Sequence, residues 1–286
     1  MQNSNVKKSI AATVAMMTVL GFSSVTARAQ TLDCGCIDAV FVIDDTGSMG
    51  GAIDNIKASL PSILATIKDK APSDVVRIGV VGFKDTITVY LPYTANDGGA
   101  GSAAISAAIN SLTASGGAGK AETSDEALRY VATGASACPV SGSLGAPRAI
   151  CLKKVFLATD APPGGCDDNY VDGVDDTNSH AAALLAAAAG FRVNAINVNS
   201  FPFTSAAHPG GVEAFVLNDM ATTTGGTYTE VPGTGEGTAN AIIGKFADCG
   251  GAGPVPAMSE WGVAALLLIV LTGLTLKFGR KERVTA

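Results

Sequence analysis

Histidine is nearly missing from this 286-residue chain, which holds only His180 and His208. Neither stands at a recognisable spacing from a nucleophile, so a Ser/His or Cys/His catalytic arrangement has no support. No glycine loop followed by a phosphate-binding lysine is present, and the many glycines mostly mark turns. Cys34-Gly35-Cys36 is not a zinc spacing, and two histidines are too few to complete such a site convincingly. Basic residues are scarce where they would matter. Residues 1–29 carry three basic and no acidic residues, and residues 254–286 carry four and two. The middle is left with 12 basic and 23 acidic residues, a net charge of −11. Such a domain repels nucleic acid and anionic surfaces, and suits cations. No internal repeat is found.

Both ends differ from this middle. Met1 to Ala29 has Lys7 and Lys8, an apolar run from Ile10 to Phe22, and the small residues Ala27 and Ala29. This is the pattern of a secretory signal peptide with cleavage before Gln30. Asp33 before Cys34 argues against a lipid anchor, because a small residue is needed there. At the other end Trp261 to Leu276 is uncharged, and Lys277, Arg280, Lys281 and Arg283 follow. A span needs about 20 apolar residues, so this run reads as a short transmembrane segment. Its basic tail, residues 277–286, would stay cytoplasmic.

Between the ends, apolar strands alternate with helical patterns. Ala39 to Ile43 is apolar throughout, the mark of a strand buried on both faces. Ala52 to Lys68 has helical periodicity, with Pro61 as an expected kink. Val75 to Phe83, Lys154 to Thr159, Val193 to Val198 and Thr227 to Val231 read as further strands, and Thr86 to Leu91 as an antiparallel edge. Helices are expected at Ala103 to Leu112, Thr123 to Thr133, Asn178 to Ala189, Val212 to Ala221 and Thr238 to Phe246. This order predicts an α/β domain over residues 38–249, a doubly wound, mostly parallel sheet flanked by helices. Residues 30–37 form an amino-terminal cysteine segment, and residues 250–260 a linker.

Ligands of open α/β sheets gather at the carboxyl ends of the strands. There the chain places Asp44-Asp45-Thr46-Gly47-Ser48-Met49, between a buried strand and a helix. Alternation lets one turn aim Asp44, Thr46 and Ser48 at one point, and such hard oxygens suit Mg²⁺, Mn²⁺ or Ca²⁺. Asp160 ends another strand, and Glu122-Thr123-Ser124 opens a helix nearby in the order. Asp44 and Ser48 could instead cap the following helix, although capping leaves Asp160 unexplained. The acidic run from Asp167 to Asp176 lacks the spacing and closing glutamate of an EF-hand, and reads as a solvated loop.

These motifs resemble the von Willebrand factor type A domain. The resemblance rests on Phe41-Val42-Ile43-Asp44-Asp45-Thr46-Gly47-Ser48-Met49 and on Arg77 to Phe83. It extends through Asp125-Glu126-Ala127-Leu128, Phe156-Leu157-Ala158-Thr159-Asp160 and Thr224-Gly225-Gly226-Thr227-Tyr228. The family implies a metal-ion-dependent adhesion site in which Asp44, Thr46 and Ser48 form the first loop and Asp160 the third. The second loop departs from the family's usual threonine, since counting back from Ala127 puts Glu122 there. Thr123 is the expected ligand, and Glu122 a further candidate. The implied partner is a protein presenting an acidic residue to the metal. Val255-Pro256-Ala257-Met258-Ser259-Glu260-Trp261, with the apolar run and basic cluster, resembles the IPTL-CTERM type of bacterial sorting signal. That implies recognition by a membrane sorting enzyme.

All six cysteines lie in the exported part, so disulfides are expected. Domain ends often lie close together, which pairs Cys249 with Cys34 or Cys36. Cys138 with Cys151 would close the small-residue insertion, leaving Cys166 for the remaining amino-terminal cysteine. The resulting reading is an exported, surface-associated binding protein that is not an enzyme. A metal-dependent hydrolase or accessory subunit, and a passive surface component, are the alternatives. Export gives a direct test. Amino-terminal sequencing of the mature protein should begin at Gln30, with the precursor in the inner membrane. Recovery of soluble cytoplasmic protein with Met1 intact would refute this.

Overall fold

The structure, a computed structural model, describes residues 36–70, 76–117, 119–200 and 202–246. The signal peptide, Cys34, Cys249, the linker and the apolar carboxyl-terminal segment lie outside them. Among the described residues no helix is long and apolar enough to cross a membrane.

The elements follow in the order β1 (Ile37–Asp44), a short 3-10 turn (Gly47–Met49), α1 (Gly50–Lys70), β2 (Val76–Phe83) and β3 (Ile87–Ala95). Then come α2 (Ala100–Ser111), α3 (Ser124–Thr133), β4 (Val140–Ser141), β5 (Leu152–Thr159) and α4 (Asp175–Ala188). The chain continues through β6 (Phe191–Asn199), α5 (Val212–Thr224), β7 (Thr227–Pro232) and α6 (Thr238–Phe246). The sheet order is β4-β3-β2-β1-β5-β6-β7, and only the β2–β3 pairing is antiparallel. Every residue of β1 is buried, as its unalternating apolar run requires.

Strand periodicity splits that run between two cores. Ile37, Ala39, Phe41 and Ile43 pack with α1, α2 and α6. Val40 and Val42 face the other layer, built from α3, α4 and α5. Alanines 182, 183 and 186 make the buried face of α4, which lets it lie between α3 and α5. Helix α1 passes through Pro61 without interruption.

Two expectations need correction. Strand β3 is longer than expected and is not the edge. The insertion after α3 runs beside it, where Ile87 donates to the Pro139 carbonyl, Tyr93 to that of Leu144, and β4 adds a two-residue pairing. Covering an exposed strand in this way blunts edge-to-edge pairing. The disulfides also differ: Cys36 pairs with Cys151, and Cys138 with Cys166. Strand register explains the first. Ile37 is opposite Leu152, so the residues preceding them are neighbours, with Cα atoms 4.7 Å apart. Cys138 cannot reach Cys151, because the insertion begins near the start of β3, at the carboxyl end of β2, and finishes at the amino end of β5. Cys138 instead meets Cys166 in the loop beyond β5. A bond from Cys249 to Cys36 is thereby excluded, and one to Cys34 lies outside the described residues.

A buried carboxylate penetrates the amino end of the sheet. Asp38 is fully buried on β1, opposite Arg77 on β2. Arg77 donates from Nη2 at 2.6 Å, and Arg148 from its backbone N at 2.5 Å and its Nε at 3.0 Å. Burial pushes the Asp38 carboxyl up, but the bonds from Arg77 and Arg148 outweigh it and hold the group below the usual range. The contact ties the insertion to the central strand. Asp38→Ala should therefore cost about 3 kcal/mol, the low end for breaking a buried pair, because both arginines can still reach water. Denaturant unfolding measures it. A loss below about 1 kcal/mol, the worth of a surface pair, would refute the role given to Asp38.

Candidate metal centre

Strand β1 leaves the core at Asp44, whose side chain is fully buried. A carboxylate there must find donors, and the adjoining turn supplies them. Thr46 donates its backbone N–H at 2.9 Å and its hydroxyl at 2.7 Å to Asp44 Oδ1. Thr159, the last residue of β5, donates its hydroxyl to Asp44 Oδ2 at 2.7 Å. The Thr46 and Ser48 hydroxyls lie 3.3 Å apart, and Ser48 donates to Asp160 Oδ1 at 2.9 Å. One chain of polar contacts thus runs Asp44–Thr46–Ser48–Asp160. Helix capping does not account for it: Thr46 occupies the cap position of the 3-10 turn without a side-chain capping bond, and Ser48 is turned to another strand end.

Backbone bonds hold three loops together around this chain. Gly47 donates to the Gly116 carbonyl, and Ser115 to that of Asp45. Glu122 donates to the Pro162 carbonyl, and its own carbonyl accepts from Ser124 and Gly164. Gly117, at φ +75°, lies where a Cβ would come within 2.6 Å of the Thr46 methyl and 2.7 Å of Glu122 Oε1. Only glycine fits so close an approach in that conformation. Behind the first loop, Tyr90 donates to Asp45 Oδ2 at 2.6 Å and braces it against β3.

A cleft of about 570 Å³ opens over these loops. Thr46, Ser48, Glu122 and Asp160 line it together with Lys120, Phe203 and Glu213. Thr123 does not. Its side chain is fully buried with an unpartnered hydroxyl, and its backbone N–H donates to the Lys84 carbonyl. Of the two candidates in the second loop, Glu122 is the one that lines the cleft. Asp160 Oδ2 and Glu122 Oε2 are both buried without a hydrogen-bond partner. Native proteins rarely leave such groups unpaired unless an ion or water answers them.

Among the described residues, no group of three or more His, Cys, Asp and Glu side chains has the arrangement of a metal site. The donors here are mixed carboxylates and hydroxyls, a set that fits a hard divalent cation and not a soft one. The acidic stretch after β5 is engaged with the protein's own groups instead. Asp167 accepts from the Asn169 backbone, Asp172 from Ser205, Asp175 from the Val171 backbone, and Asp176 contacts His208. His180 pairs with Asp219 at 2.8 Å. Thr159 and the glycine loop at 116–117 were missed by sequence reasoning. Thr159 carried a signal in its place at a strand end, next to Asp160. Glu213, which accepts from the Phe203 backbone with both oxygens, carried none.

Residues 39–161, from β1 to the Asp160 loop, match the von Willebrand factor type A domain. The fold is that of a von Willebrand factor type A domain. A von Willebrand factor type A protein from Catenulispora acidiphila superposes with a TM-score of 0.53 at 15% identity, over 75% of this chain and 43% of that one. The pilus adhesin SpaC of Lactobacillus rhamnosus GG gives 0.52 at 14%, over 74% and 30%. The chain thus spans less than half the length of either, and at these identities the likeness is one of fold. No curated protein sequence matches the chain.

Burial of the carboxylates around the cleft makes stability depend on pH. Burial lifts Asp44 to about 7, against the pull of Thr46 and Thr159, and Asp160 adds to the rise. Burial, then the charges of Asp44, Asp85, Asp168 and Asp160, lifts Glu122 to about 8. Burial likewise lifts Glu213 to about 7. The unfolded chain releases these protons near pH 4, roughly the ordinary carboxylate value. The fold retains them, so the native state binds more protons and loses stability as pH rises from about 4 towards 8. With chelator present, the melting temperature should fall across that window, and Mg²⁺ added at the upper end should restore it. A melting temperature that rises there without metal would contradict this account.

Proposed function

We propose that this protein is an adhesion or protein-binding module that works through a divalent cation. The observation that carries the reading is the convergence of Ser48 and Asp160. Two strand ends, 112 residues apart in sequence, share a 2.9 Å hydrogen bond at the mouth of a cleft, and Asp160 Oδ2 there is buried without a hydrogen-bond partner. Asp44, Thr46, Ser48 and Asp160 would hold Mg²⁺, with Mn²⁺ or Ca²⁺ as substitutes. Once bound, the ion would supply an electrophilic centre for an oxygen of the partner.

The chain's own residues prepare the site for this. Two carboxylates nearly balance a divalent charge, while the neutral hydroxyls of Thr46 and Ser48 leave it electrophilic. An acidic residue on a partner protein fits that remaining demand. The cleft is large enough for such a side chain and its neighbours, with Phe203 and Lys120 on its walls. That SpaC is a pilus adhesin supports the reading by likeness of fold. Binding, not turnover, is the assignment we make, since hydrolysis at a metal wants a general base beside an activated water. His180 and His208 are engaged with Asp219 and Asp176.

The same proposal includes place. Residues 1–29 would direct export, residues 261–276 would hold the precursor in the inner membrane, and a sorting enzyme would act at residues 255–261. The domain would then work in the periplasm or at the cell surface.

Asp160→Ala tests the site while leaving the sheet core intact. Calorimetry with Mg²⁺ and Mn²⁺ should show affinity reduced beyond the ~10–100-fold that outer-shell changes cost, with circular dichroism unchanged. A surface pull-down should recover a partner with wild-type protein and ion, and lose it with chelator or with Asp160→Ala. A folded wild-type protein that binds neither ion at millimolar concentration would overturn the proposal.

A further inference from the structure

Glu122 stands where the type A site ordinarily has a neutral hydroxyl, and it is built into the site rather than left at its rim. The residue is 3% exposed. Two backbone bonds, to Pro162 and from Gly164, fix it against the loop that carries Asp160. Its Oε1 shares with the Thr46 methyl the gap left by Gly117. Its Oε2 is buried, lacks a protein partner, and belongs to a side chain lining the same cleft as Thr46, Ser48 and Asp160. A buried carboxylate without donors is costly, and a cation is the natural partner for one set beside two others. Lys84 and Lys120 are the nearby cations, yet neither bonds it: Lys84 reaches Ser115 and Asp45, and Lys120 lies over Phe203.

We propose that Glu122 is an internal ligand of the ion and competes with the partner's carboxylate for it. This rests on the metal-binding reading above and extends it to control of affinity. Glu122 and Asp160 at the ion, with Asp44 behind Thr46, would leave the site net negative. The ion is then held more tightly in the absence of a partner, and an incoming acidic group is attracted less. A partner must displace Glu122 or offer enough further contact along the cleft to outweigh it. The substitution of a glutamate for a neutral group thus trades ligand affinity for ion retention.

The test uses the full chain, Mn²⁺ alone, and glutarate as a small carboxylate probe. Glu122→Gln keeps size and removes charge. It should weaken Mn²⁺ binding by ~10-fold or more. It should also raise the number of exchanging waters on bound Mn²⁺, read by water-proton relaxation, and strengthen glutarate binding to the ion-loaded protein. Glu122→Asp keeps the charge but shortens the reach, and provides the same Mn²⁺ measurement should the glutamine variant fail to fold. Wild-type Mn²⁺ affinity and relaxation in either folded variant would overturn the role of Glu122. If Asp160→Ala abolishes Mn²⁺ binding in the same series, the metal-binding reading survives that result. A wild-type chain that binds no Mn²⁺ removes both.

Discussion

Asp44 sits where the central strand runs out of apolar core, and each of its carboxylate oxygens is tied to a different part of the chain. Oδ1 accepts from Thr46 in the adjoining turn, and Oδ2 accepts from Thr159 on the neighbouring strand. The local bond shapes the turn that presents Thr46 and Ser48. The distant bond locks that turn to the strand carrying Asp160. A carboxylate buried so completely must be answered on both sides, and its answers assemble the site. The same burial that demands donors also lifts its proton affinity, which a divalent charge would reverse.

The opposite end of the same strand solves its buried charge differently. Asp38 has two arginines, so its charge is neutralised within the protein. Lys154 on β5, also buried, donates to the Lys245 and Phe246 carbonyls at the end of α6, where a helix favours a cation. The amino end of the sheet is thus electrostatically closed. At the carboxyl end, Asp44, Glu122 and Asp160 gather without an equal cation. Lys84 is turned to Asp45, at 3.8 Å, and to Ser115. The polarity of a parallel sheet thus separates an end closed by its own cations from one where a ligand would sit.

Covalent and backbone ties serve that separation. The Cys36–Cys151 bond joins the amino ends of β1 and β5, the strands whose carboxyl ends carry Asp44 and Asp160. Cys138–Cys166 joins the insertion to the loop beyond Asp160. Pinning those loops from outside leaves little freedom for the site to relax its crowded carboxylates. Pre-organisation of this kind lowers the ordering cost of binding.

Much of the domain could be read from local pattern. The apolar run Ala39 to Ile43 announced a strand buried on both faces, and the alternating elements announced a doubly wound sheet, because burial and periodicity are written into neighbouring residues. Asp44, Thr46 and Ser48 were legible for the same reason: residues two apart in a turn can converge without help from elsewhere. Asp160 was legible as a polar residue ending an apolar strand. What remained hidden depends on contacts between distant segments. Whether Glu122 or Thr123 faces the cleft is set by how the second loop docks on Pro162 and Gly164, and nothing within that loop encodes it. The disulfide partners follow from the register of Ile37 against Leu152 and from the direction in which the insertion crosses the sheet. Local spacing determines which residues can act, whereas their final orientation is decided by segments brought together only when the sheet has formed.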